Sequence, residues 1–346
     1  MSRKKHVEQE VFVDEYDSDG GYENDSPPAP QKYKMPLSMV MLFIASLLVF
    51  LGSSGYLFYK FVIDPAIVES IMKEYQDEYV PGVPVQNSEP GYEPPRNPDG
   101  TLISFDEVRK RNPDIIGWII VPNTKINYPV VQSKDNDYYL HHNIDRKQDA
   151  NGTLFANCDN KFAFDFNTNK PAKTPVSLIF GHHMRSGAMF ENLTYYDTYG
   201  KNKGLDFYRE NSVITFNTIF DESQWIIFSL IKLNTQSKED SGIPPFNFYE
   251  SEFKDVDTHT EYDPVYHQSF IDELRNRSMI DTTKQITVTP DDELLILCTC
   301  SYEYADFRTL IVARKLKPGE EIDVSSVEKS VSPKLPSIWS FKQYPL

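Results

Sequence analysis

The chain has 346 residues, a formal net charge of −16, and 40% hydrophobic and 13% aromatic residues. This composition supports one folded core of about 200 residues with additional segments, and the acidic balance argues against nucleic acid as the main partner. Three cysteines, Cys158, Cys298 and Cys300, are too few for a disulfide scaffold and lack the spacing of a zinc site.

The first sixty residues divide into a polar and an apolar segment. Residues 1–34 are predicted to be disordered, since they hold too little apolar surface to offset the entropy lost on ordering. Residues 35–59 carry no charged side chain, and a run of this length spans a bilayer, which takes about 20 apolar residues. A buried core helix and a cleaved signal peptide are the alternatives. More basic residues precede the run than follow it, which predicts a transmembrane helix over 35–60 with a cytoplasmic N-terminus.

Residues 61–100 are predicted to connect this span to a globular domain. Apolar residues recur at helical spacing over 64–79, which indicates a juxtamembrane helix that raises the domain off the membrane. Residues 80–100 are rich in Pro, Gly and Asn and are typical of a linker. Ser104 and Glu107 have the spacing of a capping box at the start of a helix that ends near Asn112.

Short runs of β-branched and aromatic residues then alternate with turn residues. The predicted strands are 115–121, 126–131, 153–156, 176–180, 212–216, 225–233, 285–289, 294–297 and 310–313. One late helix is predicted over 266–280, where Phe270, Ile271 and Leu274 share a side. Many short strands with few helices predict a mainly β fold, a closed barrel with helical additions. Residues 318–346 are predicted to form an extended tail.

The stretch 294–316, LLILCTCSYEYADFRTLIVARKL, places a thiol and a cation at the ends of two predicted strands joined by a turn over 301–306. A nucleophilic thiolate needs a neighbour that lowers its pKa or removes its proton, and a fixed cation stabilises developing negative charge. Cys300 and Arg308 fit these roles. The alternatives are a buried inert thiol and a surface ion pair. Cys298 shares the strand face with Cys300 but lies deeper in the apolar run, so it is predicted to be inert.

A histidine pair follows another apolar run, 176–180, after Gly181. His182 at this strand end is suited to acid/base work near neutral pH, and a solvated turn histidine is the alternative. Adjacent histidines rarely face one ion, so we predict neither a metal nor a cofactor at His182 and His183. The second pair, His141 and His142, is predicted to be structural.

The order histidine, cysteine, arginine, with these local strings, resembles the sortases, membrane-anchored cysteine transpeptidases of Gram-positive bacteria. In the family motif TLxTC, Leu297, Thr299 and Cys300 match, Ile296 replaces the first threonine, and Cys298 stands at the variable position. The strings GHHMRSGAMFENL and NPDIIGWIIVPNTKINYPVVQSKDNDYYLHHN resemble class B. The resemblance covers 101–317, which is then the expected catalytic domain.

The resemblance implies a sortase-type barrel of about eight strands, with an N-terminal helix and a helix before the last strands, and a cysteine transpeptidase. Cys300 would attack a sorting-signal peptide, of the NPxTx kind in class B relatives, and form a thioester. His182 would protonate the leaving amine, with His183 as a weaker alternative. Arg308 would hold the substrate and the oxyanion. Tyr302 occupies the position where an acidic partner is proposed in class B, so we assign no triad acid.

The expected partners are surface proteins with a C-terminal sorting signal and an amine of a peptidoglycan precursor. Anchoring the enzyme in the same membrane raises the effective concentration of such substrates. A pilin polymerase acting on a lysine amine uses the same residues, as does a cysteine hydrolase with water as the acceptor. A catalytically inactive surface-binding module is a third alternative. A recognition loop is predicted over 234–262, and its sequence contains no readable code for the sorting motif.

Overall fold

A computed structural model describes residues 35–80, 92–184, 186–198, 204–235, 243–250, 252–254, 262–300 and 306–336. The contacts divide the chain into one unit through Leu57 and a second from Phe58. In the first unit, helix α1 (Leu37–Phe58) has no buried residue. By length and composition, the helical segment beginning at Leu37 is apolar enough to cross a membrane. The predicted N-terminal disorder, the end of the predicted tail, and most of the predicted linker and recognition loop lie outside the described residues.

The second unit contains four further helices and twelve strands in its described part. The helices are α2 (Asp64–Glu78), α3 (Asp106–Arg111), α4 (Gly204–Glu210) and α5 (Pro264–Asn276). The strands are β1 (Ile115–Ile120), β2 (Asn127–Val131), β3 (Phe155–Ala156), β4 (Phe164–Asp165), β5 (Lys170–Pro171), β6 (Val176–Gly181), β7 (Val213–Thr218), β8 (Gln224–Asn234), β9 (Ile280–Asp281), β10 (Leu294–Cys300), β11 (Phe307–Lys315) and β12 (Glu328–Lys329).

Eight of these strands form a closed barrel in the order β1-β2-β3-β6-β10-β11-β8-β7. The prediction of a closed eight-stranded β-barrel is confirmed. Strand β10 pairs in parallel with β6 and antiparallel with β11. The C-terminal ends of β6 and β10 therefore meet at the same edge of the barrel as the N-terminal end of β11. Leu295, Ile296 and Leu297 of β10 are fully buried, which accounts for the continuous apolar run in the sequence.

Helix α2 packs on the barrel. Its buried side chains are Val68, Met72 and Tyr75, and directly after it the ring of Tyr79 stacks on Trp118 with centroids 4.1 Å apart. The predicted helix over 64–79 is thus present, with its apolar stripe covered by the second unit. Arg111 fixes this contact from α3, because its guanidinium lies 4.0 Å from the centre of the Tyr75 ring.

Two local predictions were wrong. The predicted strand 285–289 is a turn followed by irregular backbone, and the Ile286 carbonyl accepts a hydrogen bond from Arg275 Nη2 at 2.7 Å. A side chain thus satisfies a backbone group that a neighbouring strand would otherwise bind. The predicted capping box at Ser104 does not form, since a 3₁₀ turn over Ile103–Phe105 precedes α3 and the Ser104 hydroxyl donates to Glu222 at 3.4 Å.

The late helix begins and ends earlier than predicted. Asp263 caps α5 by accepting from the backbone N–H groups of Val265 and Tyr266. Ile280, predicted as its last residue, begins β9 and pairs with β12 of the C-terminal segment. Within that segment Val327 is fully buried and the Lys334 ammonium lies 2.7 Å from Glu273 of α5. The described part of the tail therefore packs against the domain.

Candidate active site

His182 directly follows β6. Its Nε2 lies 3.0 Å from the Leu140 carbonyl oxygen, and since a carbonyl only accepts, Nε2 carries the proton and donates. The backbone N–H of Phe190 donates to the His182 carbonyl at 2.9 Å. These two contacts hold the half-buried ring and its backbone in one orientation. Nδ1 is then the ring nitrogen with a lone pair in the neutral tautomer.

Gly181 allows this strand end to approach its neighbours closely. A Cβ built at Gly181 would lie 2.3 Å from Leu154 Cδ2 and 2.5 Å from Phe190 Cδ2. Both side chains are fully buried, so neither has space to move away. The close approach explains why glycine precedes the histidine here.

We expect Gly181→Ala to destabilise the protein by about 1–3 kcal/mol, the usual cost of overpacking a core, and to lower turnover because the shifted strand end carries His182. Thermal unfolding and peptide turnover of the full chain would measure both effects. Gly52→Ala of α1 is the control for the added methyl group, since no atom beyond its chain neighbours and the backbone of its own helix lies within 4 Å of a Cβ there. Equal unfolding temperatures for the two variants would contradict the close packing.

The register of β10 and β11 places Cys300 directly opposite Arg308. On the other side of β10, Thr299 pairs with Gly181, so His182 is the next residue beyond that pair. Arg308 is half-buried, and its Nη1 donates to the Phe307 carbonyl at 3.0 Å. The three predicted site residues therefore come from neighbouring strand ends. The predicted turn between the strands, including Tyr302, lies outside the described residues except for Asp306.

A pocket of about 140 Å³ opens at these strand ends. It is lined by His182, Arg308 and Cys298, together with further residues of the strand ends and the neighbouring loops. These additional lining residues are Asn136, Leu140, Phe155, Phe180, Gly181, Tyr249 and Thr299. Cys298, predicted to be inert, is 2% exposed and thus lines the pocket from a buried position.

Aromatic rings form one wall of the pocket. The Phe180 ring lies 5.2 Å from Phe155 and 5.7 Å from Tyr249, measured between centroids. Phe180 was recognisable in the sequence as the residue before Gly181. Tyr249 belongs to the predicted recognition loop, where no periodic pattern identified it.

Two further histidines among the described residues lie in local structural contacts. His142 stacks on Tyr138 with ring centroids 4.0 Å apart, and its Nδ1 lies 2.7 Å from the Tyr138 carbonyl oxygen. His183 forms a backbone bridge with Met189. Across the described ranges, no three His, Cys, Asp or Glu side chains are grouped so as to hold a metal ion.

His267 of α5 anchors the segment that leads from β8 to this helix. Its ring stacks on Phe253 at 3.7 Å, and its Nδ1 lies 2.9 Å from the Tyr262 hydroxyl, which donates to the Pro290 carbonyl at 3.2 Å. Nδ1 therefore donates to the Tyr262 oxygen. Nε2 is buried and has no hydrogen-bond partner among the described residues. Burial lowers the pKa of His267 from 6.5 to about 4.

This depressed pKa predicts a loss of stability in acid. Between pH 6.5 and 4 the unfolded chain binds a proton at His267 that the folded chain excludes, so the free energy of unfolding falls as the pH falls. The full shift is worth about 3 kcal/mol. Lys173, Asp291 and Glu250 are the charged groups that act on this ring. Denaturant unfolding of the parent and His267→Gln at several pH values would test this, with a flatter profile expected for the variant. Parallel profiles would exclude the histidine as the cause.

Comparison with known proteins places this barrel and site in context. No family model matches the chain. Sortase B of Staphylococcus aureus is 29% identical over 215 residues, 62% of this chain and 75% of that protein. Sortase B of Listeria monocytogenes is 28% identical over 198 residues, 57% of this chain and 67% of that protein.

Solved structures have the same fold. A crystal structure of sortase B from Bacillus anthracis superposes with a TM-score of 0.55 at 24% identity, covering 74% of this chain and 99% of that one. For sortase B of Staphylococcus aureus the TM-score is 0.52 at 24% identity, with 73% and 98% covered. In its closed barrel and its curated relatives the chain resembles the class B sortases, and these relatives support a cysteine transpeptidase.

Proposed function

We propose that this chain is a membrane-anchored sortase that cleaves sorting-signal peptides with Cys300 and transfers the acyl group to an amine of a peptidoglycan precursor. The strand register carries the proposal. It sets Cys300 opposite Arg308 and brings the end of β6, with His182 after it, beside the end of β10. A nucleophile, an acid/base and a fixed cation at one edge match the requirements of acyl transfer.

In the first half-reaction the Cys300 thiolate attacks the carbonyl carbon of the scissile peptide bond. Arg308 stabilises the negative charge that develops on the carbonyl oxygen. The C–N bond breaks as His182, which has taken the Cys300 thiol proton at Nδ1, gives that proton to the leaving amine, and an acyl thioester remains on Cys300. In the second half-reaction an incoming amine attacks the thioester and loses a proton to His182, and the C–S bond breaks.

The pocket walls favour a sorting signal of the NPxTx kind. Phe180, Tyr249 and Phe155 provide flat apolar surface for a proline ring. Asn136 supplies an amide that can donate to and accept from the asparagine side chain of such a peptide. Arg308 at the other side of the pocket would then lie near the scissile carbonyl.

The proposed anchor is α1. Its apolar side chains are exposed throughout, as required for contact with lipid tails. The excess of basic residues before it favours a cytoplasmic N-terminus. We accordingly propose a transmembrane helix over 35–60, a connecting segment over 61–100, an extracellular catalytic domain over 101–317 and a tail over 318–346.

The experiment is mass spectrometry of the full chain in detergent micelles, incubated with a set of sorting-signal peptides with and without an amine. A thioester adduct on Cys300 that converts to an amide product would support the proposal. A free carboxylic acid as the only product, whatever amine is added, would instead indicate a hydrolase. Comparing a cell-wall peptide amine with a lysine side-chain amine separates the cell-wall enzyme from a pilin polymerase.

A further inference from the structure

A buried ion pair includes a lysine that lies opposite Thr309, the residue after Arg308. Lys232 Nζ of β8 is 3.5 Å from Asp197 Oδ2, and the two side chains are 1% and 7% exposed. The ammonium also donates to the Thr309 hydroxyl of β11 at 3.0 Å. Moving two charges out of water is costly, and an apolar pair of similar volume is often at least as stable. Stability alone therefore does not account for this pair.

The strand register shows what the pair supports. Lys232 pairs with Thr309, Thr309 with Thr299, and Thr299 with Gly181, so one row crosses four neighbouring strands. Thr309 directly follows Arg308 in the chain, Thr299 directly precedes Cys300, and Gly181 directly precedes His182. The row therefore lies next to all three proposed catalytic residues. Successive side chains on a strand point to opposite faces. The Thr309 side chain thus lies on the face opposite to that of Arg308, and the row is one residue closer to the middle of the strands than the proposed catalytic residues.

Asp197 connects this row to the segment that follows His182. The chain leaves His182, passes Phe190, whose N–H donates to the His182 carbonyl, and forms a 3₁₀ turn over Glu191–Tyr196. Asp197 comes directly after that turn. Its contact with Lys232 therefore joins the histidine-bearing segment to β8, and the Lys232–Thr309 hydrogen bond continues the connection to β11.

We propose that Asp197, Lys232 and Thr309 are positioning residues that hold the ends of β6, β10 and β11 at the spacing that acyl transfer requires. This inference rests on the proposed function. The rate of acyl transfer is expected to depend steeply on the distances between the reacting groups, since a displacement of about 1 Å is enough to lower a rate roughly a hundredfold. Thr299 faces the same row, and its hydroxyl is buried with no hydrogen-bond partner among the described residues.

Thr309 offers the mildest test, because valine has the same shape without the hydroxyl. We expect Thr309→Val to lower the kcat of acyl-enzyme formation about tenfold while KM for the peptide changes less than about twofold. Thr309→Ser keeps the acceptor for Lys232 and is expected to stay within about twofold of the parent. A fall in kcat of equal size in both variants would overturn the role assigned to the hydrogen bond.

The ion pair is tested by removing both charges together. Lys232→Met leaves a buried carboxylate and is expected to lower the unfolding temperature, whereas Lys232→Met with Asp197→Asn is expected to recover most of that loss. If the pair positions the site, kcat of the double variant stays about tenfold or more below the parent despite the recovered stability. Recovery of kcat together with stability would show a structural role alone and overturn the inference.

The control is a second ion pair, formed by a buried arginine of β11 and a partly exposed glutamate. Arg314 of β11 is 1% exposed and lies 2.7 Å from Glu320, about 20 Å along the strand from Arg308 at 3.3 Å per residue. Arg314→Met with Glu320→Gln is expected to keep kcat within about twofold.

The alkylation rate of Cys300 is measured in every variant as a readout that needs no substrate. A parent that forms no acyl-enzyme with any peptide would refute the proposed function. The alkylation rates and their pH profiles would then decide the inference, and equal profiles in all variants would overturn it.

Discussion

Replacement of Cys300 by alanine is expected to abolish acyl-enzyme formation, whereas Cys298→Ser is expected to keep most of the turnover. The reason is their placement on one strand. Cys300 is the last residue of β10 and lies opposite Arg308, while Cys298 is 2% exposed and pairs with Leu310 inside the apolar part of the sheet. Covalent catalysis has no substitute for its nucleophile, so the loss for Cys300→Ala should exceed about a thousandfold.

The measurement is the mass of the peptide adduct on each variant, together with steady-state turnover. Thermal unfolding controls for folding, since a serine hydroxyl at the buried position 298 costs about 1–3 kcal/mol if it finds no partner. Cys298→Ala removes that complication and serves as the second control. If Cys298→Ser and Cys298→Ala were as inactive as Cys300→Ala while still folded, Cys300 would lose its assignment as the only nucleophile.

The barrel was predictable because its strands contain a strong local signal. Runs such as those of β6 and β10 are apolar on both faces and bounded by polar residues, as expected of strands covered on both sides. In the segment 285–289 apolar and polar residues alternate as in a strand, but no strand forms there. The carbonyl of Ile286 accepts a hydrogen bond from Arg275 of α5. Such a contact depends on how α5 packs against the following segment, and the alternation of residues within 285–289 does not reveal it.

The catalytic candidates were readable for a related reason. A thiol, a guanidinium and an imidazole at the ends of apolar runs are unusual, and strand pairing then sets the backbones of Cys300 and Arg308 opposite each other. The residues that form the pocket walls could not be predicted from the sequence. Asn136, Leu140 and Tyr249 come from loops whose positions depend on the packing of the whole barrel.

The burial of Lys232 is a second feature that could not be predicted from the sequence. In the sequence it is a single lysine near the end of a strand, and such a residue is ordinarily solvated. In the structure it is 1% exposed because Asp197 and Thr309, from two other segments, provide its polar partners. Burial of a charge is decided by those partners, and a sequence pattern alone does not identify them.

Arg308→Lys is expected to lower kcat about 100- to 1000-fold, the usual effect of losing one oxyanion donor, while KM changes little. The Nη1 of the guanidinium donates to the Phe307 carbonyl at 3.0 Å, which restrains the plane of the group, and Arg308 lines the pocket. A lysine keeps the charge but offers a rotating ammonium in place of a planar group, so its donors are not held in the orientation of the guanidinium.

Comparison of two variants at this position separates charge from geometry. Arg308→Met removes the charge and the planar geometry, whereas Arg308→Lys removes only the planar geometry. Arg314→Lys is the control, since it makes the same arginine-to-lysine change at the far end of β11, where Arg314 binds Glu320. An oxyanion role predicts that Arg308→Lys lies close to Arg308→Met in kcat and that Arg314→Lys stays near the parent. Near-normal kcat for Arg308→Lys would mean that a point charge suffices, which contradicts paired donation to the oxyanion. A rise in KM alone would assign Arg308 to peptide binding, because an interaction made equally in the ground and transition states leaves kcat unchanged.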